Sequence, residues 1–161
     1  MRLTLYTDYA LRILIHLAAH GDRPCRVADV AADYRISRSH LLKVALKLGR
    51  LGFLTTSRGR TGGIALARRP EDINLGEVVR HMEDGFDLTE CMRSGGNCVI
   101  SSSCRLKGVV GRALEAFLGV FDGCTLADLT HNGEELRALL MLSRLPGNGG
   151  APEPTQRGDQ C

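Results

Sequence analysis

The chain has 161 residues, 43% of them hydrophobic but only 4% aromatic, with no Trp, so it can build one aliphatic core, alone or with an extension. Its net charge of +3 hides an asymmetry: residues 1–70 carry 13 Lys and Arg against four Asp and Glu, whereas residues 71–161 carry eight against 14. A front half at +9 on a back half at −6 points to a nucleic-acid partner for the front, and no stretch is apolar or long enough to make a membrane the partner instead.

Residues 7–20 (TDYALRILIHLAAH) read as a helix. Thr7 or Asp8 can cap its start, and Leu11, Leu14, Ile15 and Ala18 form its apolar face. Arg12 and His16 break the apolar run that a secretory signal needs, so a cytoplasmic protein is expected. Gly21 stops the helix. A second, short helix spans 26–34 with Val27, Val30 and Ala31 inward. After a turn at Ile36 and Ser37, with Ser37 as N-cap, a third helix spans 38–51 and buries Leu41, Leu42, Ala45 and Leu48. Strand-like runs at 53–57 and 64–68 flank a glycine-rich tip, which predicts a β-hairpin closed by Pro70.

Helix, tight turn, helix and hairpin is the order of a winged helix-turn-helix. Lys43, Lys47 and Arg50 recur at i, i+4 and i+7 on the third helix, with Arg38, Ser39 and His40 at its N-terminal end. A recognition helix sets its N-terminal residues against base edges and its cations against phosphates. In the hairpin tip, Arg58 and Arg60 can enter a narrow minor groove, and Thr61 and Gly62 complete the approach to phosphate. The same cations on an ordinary solvated helix face carry no such meaning; their conjunction with the Arg/Gly hairpin does.

Residues 75–84 predict another helix, 85–103 a loop, 104–122 a long helix, and Thr125 caps a final short one. Leu106, Val109, Val110, Ala113, Leu114, Phe117, Leu118, Val120 and Phe121 leave the long helix apolar on most sides, which calls for a second copy of the chain to cover it. The expected fold is therefore mainly α: a winged helix-turn-helix domain over 1–70, a cysteine loop with dimerisation helices over 71–142, and a disordered tail over 143–161.

Six cysteines stand at 25, 91, 98, 104, 124 and 161. In a reducing compartment they speak for metal or redox chemistry rather than a disulfide framework. Cys91, Cys98 and Cys104 follow C-x6-C-x5-C in the loop, wider than the paired spacing of a zinc knuckle. Three thiolates so placed suit a larger object, an iron–sulfur cluster, which ordinarily takes four protein ligands. Cys25 and Cys124 fall within apolar helix-forming stretches. The other readings are a cluster-free thiol sensor and a redox enzyme. The latter lacks any substrate-pocket or nucleotide-binding motif, so no enzymatic activity is expected.

The opening MRLTLYTDYALRILIHLA, the stretch ISRSHLLKVALKLGRLGFL, the wing SRGRTGGIALAR, the cysteine trio and CRLKGVVGRALEAFLGVFDGCTLADL together resemble the Rrf family of winged-helix regulators, over residues 1–142. Within it the chain looks closest to the nitric-oxide-sensitive repressors. The resemblance implies a homodimer on palindromic double-stranded operator DNA. It also implies a cluster, 4Fe–4S rather than 2Fe–2S, held by Cys91, Cys98 and Cys104, and loss of DNA binding when that cluster is damaged. It suggests Asp8, from the partner copy, as fourth ligand; an N-cap role is its alternative. Regulators of iron–sulfur assembly carry a ligand His where this chain has Lys107. Iron-responsive regulators share the three cysteines and remain the alternative branch.

Overall fold

A computed structural model of the protein describes residues 2–21, 23–59 and 62–142. In chain order it has α1 (Leu5–His20), α2 (Val27–Tyr34), α3 (Arg38–Arg50), β1 (Leu54–Thr56), β2 (Ile64–Leu66), α4 (Leu75–Met82), α5 (Leu106–Asp122), α6 (Leu126–Leu129) and α7 (Gly133–Leu142). The strands form an antiparallel hairpin in the register Leu54↔Leu66 and Thr56↔Ile64. The expected winged helix is present. The expected disordered tail, with Cys161, lies outside the described residues, as do Arg60 and Thr61.

Helix α1 starts earlier than expected, and its cap is neither Thr7 nor Asp8. Thr4 is the N-cap, its Oγ1 accepting from the Thr7 amide at 3.3 Å. The buried stripe is also rotated: Ala10, Ile13, Leu14 and Leu17 are fully buried, while Leu11, Ile15 and Ala18 are only half-buried. In a segment this rich in Leu, Ile and Ala, several stripes satisfy a 3.6-residue period, and packing against α3 and α4 chooses between them. In α3 the expected Leu42 is 45% exposed, and Val44 takes its place beside Leu41, Ala45 and Leu48. Ser37 is the N-cap residue, but its hydroxyl bonds Ser39 Oγ at 2.8 Å instead of a backbone amide.

One core runs through the molecule. Val30, Phe53, Leu54 and Ile64 pack with α1 and α3, and Ile73, Leu75, Val78, Met82 and Leu126 join the same cluster. Each such side chain contributes about 1.5–3 kcal/mol by leaving water. Backbone bonds stitch the chain after the hairpin to the segment after α5: Leu75 N donates to Cys124 O at 3.0 Å and Leu126 N to Ile73 O at 2.9 Å. Cys124 thus sits in the turn between helices, and Cys25 in an extended segment paired with Ile64, not in helices as expected. The approach of α4 to α5 is close. A Cβ on Gly76 would strike the Asp122 carboxylate, which is clamped by both terminal guanidinium nitrogens of Arg80.

Thr125 caps α6, as expected, and the structure adds a reciprocal capping box with Asp128. Helix α7, which the sequence reading omitted, folds back on α1, where Arg137 Nε donates to Ala19 O at 2.9 Å. Helix α5 is the exception to this packing: only Leu118 is buried, while Leu106 and Val109 are each 51% and Val120 70% exposed.

Candidate nucleic-acid interface and cysteine loop

The N-terminal end of α3 presents Arg38, Ser39 and His40 to solvent, followed by Lys43 one turn on and Arg50 at the far end. Lys47 differs. Its stem is half-buried, its ammonium lies 5.4 Å from the Tyr6 ring centroid, and Nζ donates to Met82 O at 3.3 Å, with Asp84 at 3.9 Å. Lys47 therefore joins α3 to the end of α4. At the hairpin tip Arg58 is exposed. Ser57 and Gly63 exchange backbone bonds of 2.9 and 3.1 Å across the base of the tip. The other two expected tip residues, Arg60 and Thr61, fall outside the described residues, while a Cβ at Gly62 would strike the Ser57 carbonyl.

The base of the hairpin is tied to α4 as well. Arg68 bonds Glu77 at 3.0 Å, and its guanidinium lies 4.8 Å from the Phe53 ring centroid. Thus α4 touches both the recognition helix and the wing, and its C-terminal end leads directly into the cysteine loop. The first loop residue, Glu83, accepts from both the Thr4 amide (2.8 Å) and the Thr4 hydroxyl (3.1 Å), binding the loop to the cap of α1.

Cys91, Cys98 and Cys104 are half-buried free thiols in or beside that loop. Cys91 sits in a short 3-10 turn (Glu90–Met92), its sulfur 3.2 Å from Thr89 Oγ1; Cys104 Sγ accepts from the Leu106 amide at 3.4 Å. Hydrogen bonds to sulfur are among the levers that tune sulfur-ligated iron. Three half-buried thiols, one of them already accepting a backbone hydrogen bond, fit an iron–sulfur cluster. Among the described residues the trio does not gather within 4.8 Å of one another, with or without Asp8, as a single-ion site would. Asp8 lies in the first turn of α1 and pairs with Arg12 at 2.9 Å, both side chains about 40% exposed. Lys107 is exposed.

Sequence reasoning missed the buried pair of His16 and Asp33, joined at 2.8 Å with each side chain 1% exposed. The signal was present: His16 falls on the apolar stripe of α1, where an imidazole needs a polar partner. No helix among the described residues is long and apolar enough to cross a membrane.

Residues 3–132 match the family described as "Rrf2: Iron-dependent Transcriptional regulator". The chain is 51% identical to the HTH-type transcriptional regulator NsrR of Bacillus subtilis over 146 residues, covering 88% of this chain and 99% of that protein. It is 49% identical to NsrR of Bacillus licheniformis over 142 residues, covering 87% and 99%. Among solved structures it is similar to CymR, the global cysteine regulator of B. subtilis (TM-score 0.68, 25% identity, 82% of this chain and 98% of that one). It is likewise similar to T. potens IscR (TM-score 0.67, 26% identity, 85% and 91%). A winged helix with these relatives over most of its length is a regulator rather than an enzyme, and the chain belongs to the Rrf2 family of transcriptional regulators.

Proposed function

We propose that the protein is a homodimeric, cytoplasmic repressor that binds palindromic operator DNA and releases it in response to nitric oxide through a 4Fe–4S cluster. The observation that carries this reading is the position of α4. It contacts α3 through Lys47 and Met82, and the wing through Arg68 and Glu77, and it ends where the cysteine loop begins. Cys91, Cys98 and Cys104 would hold the cluster, with Asp8 of the partner subunit as fourth ligand. When bound, such a cluster supplies iron that reacts with nitric oxide.

The chain's own residues do the rest. Arg38, Ser39 and His40 meet base edges, Lys43 and Arg50 meet phosphates, Arg58 and Arg60 enter the minor groove, and Thr61 and Gly62 complete the approach to phosphate. Lys47 serves from behind, setting α3 against α4. Three anchored cysteines restrain the loop, and the Glu83–Thr4 and Lys47–Met82 bonds carry that restraint to α1 and α3. Coupling of about 1–3 kcal/mol suffices for a useful switch. The open face of α5 supports the dimer, since Leu106, Val109 and Val120 of one copy would cover those of another.

The test is binding of anaerobically purified protein to duplexes selected from random-sequence DNA, before and after nitric oxide. Tight binding lost with nitric oxide supports the reading; binding indifferent to nitric oxide refutes it. The family's description as iron-dependent favours one alternative, an iron-responsive repressor. Release by iron chelation without response to nitric oxide would select it.

A further inference from the structure

We propose a second metal site, for a divalent cation of the zinc class, formed by His16, His20 and Cys25 at the junction of α1 with the wing. Side-chain donor atoms of these three residues lie within 4.8 Å of one another, and no other set of three His, Cys, Asp or Glu does so among the described residues. The spacing exceeds a finished tetrahedral shell, so the ligands close by about an ångström on binding.

The hydrogen bonds around the site prepare each imidazole. His16 Nε2 donates to Asp33 Oδ2 at 2.8 Å, which leaves Nδ1 as the basic nitrogen. His20 Nδ1 donates to His16 O at 2.8 Å, which leaves Nε2 basic. A carboxylate behind one histidine and a carbonyl behind the other is the outer shell by which metal-bound imidazoles are oriented. The two rings stack with centroids 4.1 Å apart and 12° between planes. Two protonated imidazoles would repel at that distance, whereas two neutral ones can share a cation.

Residues i and i+4 on one helix face supply the histidines, and the loop after α1 supplies the thiol. Burial grades outward, from buried His16 to half-buried His20 and Cys25, so a cation can enter and solvent can complete the shell. On binding, the cation displaces the proton of the Cys25 thiol to solvent, and the thiolate sulfur becomes its ligand. Two imidazoles and one thiolate favour zinc over magnesium or calcium.

The site would brace the wing. Cys25 N donates to Ile64 O at 2.9 Å, and Ile64 N to Cys25 O at 2.8 Å. Gly63 lies so close that a Cβ there would stand 2.5 Å from the Cys25 carbonyl oxygen. A cation on Cys25 therefore ties β2 to the C-terminal turn of α1.

The site shares no ligand with the cysteine loop, so its test stands apart from the repressor reading. Full-length protein carrying Cys91→Ser, Cys98→Ser and Cys104→Ser is titrated with cobalt(II) alone, then with zinc(II). The expected result is one cobalt per chain with tetrahedral ligand-field absorption and a thiolate charge-transfer band, both displaced by zinc. Adding Cys25→Ser should abolish the charge-transfer band while the metal-free melting temperature stays unchanged. Adding His20→Ala should weaken cobalt binding at least tenfold. Zinc should raise the melting temperature of the background protein and of neither further variant. Absence of tetrahedral cobalt, or a charge-transfer band that survives Cys25→Ser, overturns the proposal.

Discussion

Replacing Asp8 separates structural from ligand roles with unusual clarity, because the cap of α1 belongs to Thr4. What Asp8 contributes to the fold is limited to two terms. Its pair with Arg12 is an i,i+4 contact with both side chains about 40% exposed, worth about 0.3–0.5 kcal/mol. Its charge in the first helical turn adds about 0.3–1 kcal/mol. Arg12 keeps a second partner, since its guanidinium lies 5.6 Å from the Tyr34 ring centroid. Asp8→Ala should therefore cost at most about 1.5 kcal/mol. For a chain of this size that lowers the melting temperature of metal-free protein by no more than about 6 °C. Asp8→Asn, which retains shape and hydrogen bonding, should cost less. If Asp8 is the fourth cluster ligand, both variants should still take up iron. They should lose it severalfold faster than wild type under anaerobic dilution, and show altered nitrosylation kinetics by stopped-flow absorbance. Cluster loss and nitrosylation at wild-type rates in Asp8→Asn would refute the ligand role.

Cys98→Ala should abolish iron uptake yet leave the elution volume in gel filtration unchanged, because the thiol lies in a loop outside the core; full iron occupancy would sink the assignment. Arg58→Ala and Arg60→Ala should each weaken operator binding and lower the salt slope by about one, measured by fluorescence anisotropy across salt concentrations. Val109→Glu should convert the dimer to monomer by light scattering, with helicity retained, since Val109 is 51% exposed in the single chain. Acid should destabilise the α4–α5 contact: the hydrogen bond from Arg80, with its charge, holds the Asp122 carboxyl below the usual range. A carboxyl depressed on folding stabilises above its unfolded value of about 3.9, and that contribution disappears as pH falls through the folded value. Urea midpoints of the wild type should thus fall more steeply than those of Asp122→Asn below about pH 4.

Much of the architecture was legible because its signals are local. Gly21, the Arg/Gly hairpin tip and the Thr125 cap each act within a few residues. What escaped depends on contacts distant in sequence. The phase of α1 is set by α3 and α4, so a stripe through Leu11 and Ala18 looked as good as the true one through Ala10 and Leu17. Helix α7 is held by Arg137 reaching Ala19, 118 residues earlier. Lys47 illustrates the same limit at the candidate interface: its spacing matches Lys43 and Arg50, yet its ammonium is spent on Met82 O and the Tyr6 ring.

The cysteine loop leaves the core at Met82, and the chain rejoins it only at Leu118, with α4 packed against the C-terminal end of α5 through Arg80 and Asp122. The stitching at Leu75–Cys124 and Ile73–Leu126 holds those helices together whatever the loop contains. Lengthening such a closed loop is inexpensive, about 0.6 kcal/mol for each doubling. Residues can therefore be inserted or removed between the three thiols at little cost to the rest of the molecule. A loop mounted in this way can diversify by small insertions and deletions while the surface of α3 and the hairpin is inherited unchanged.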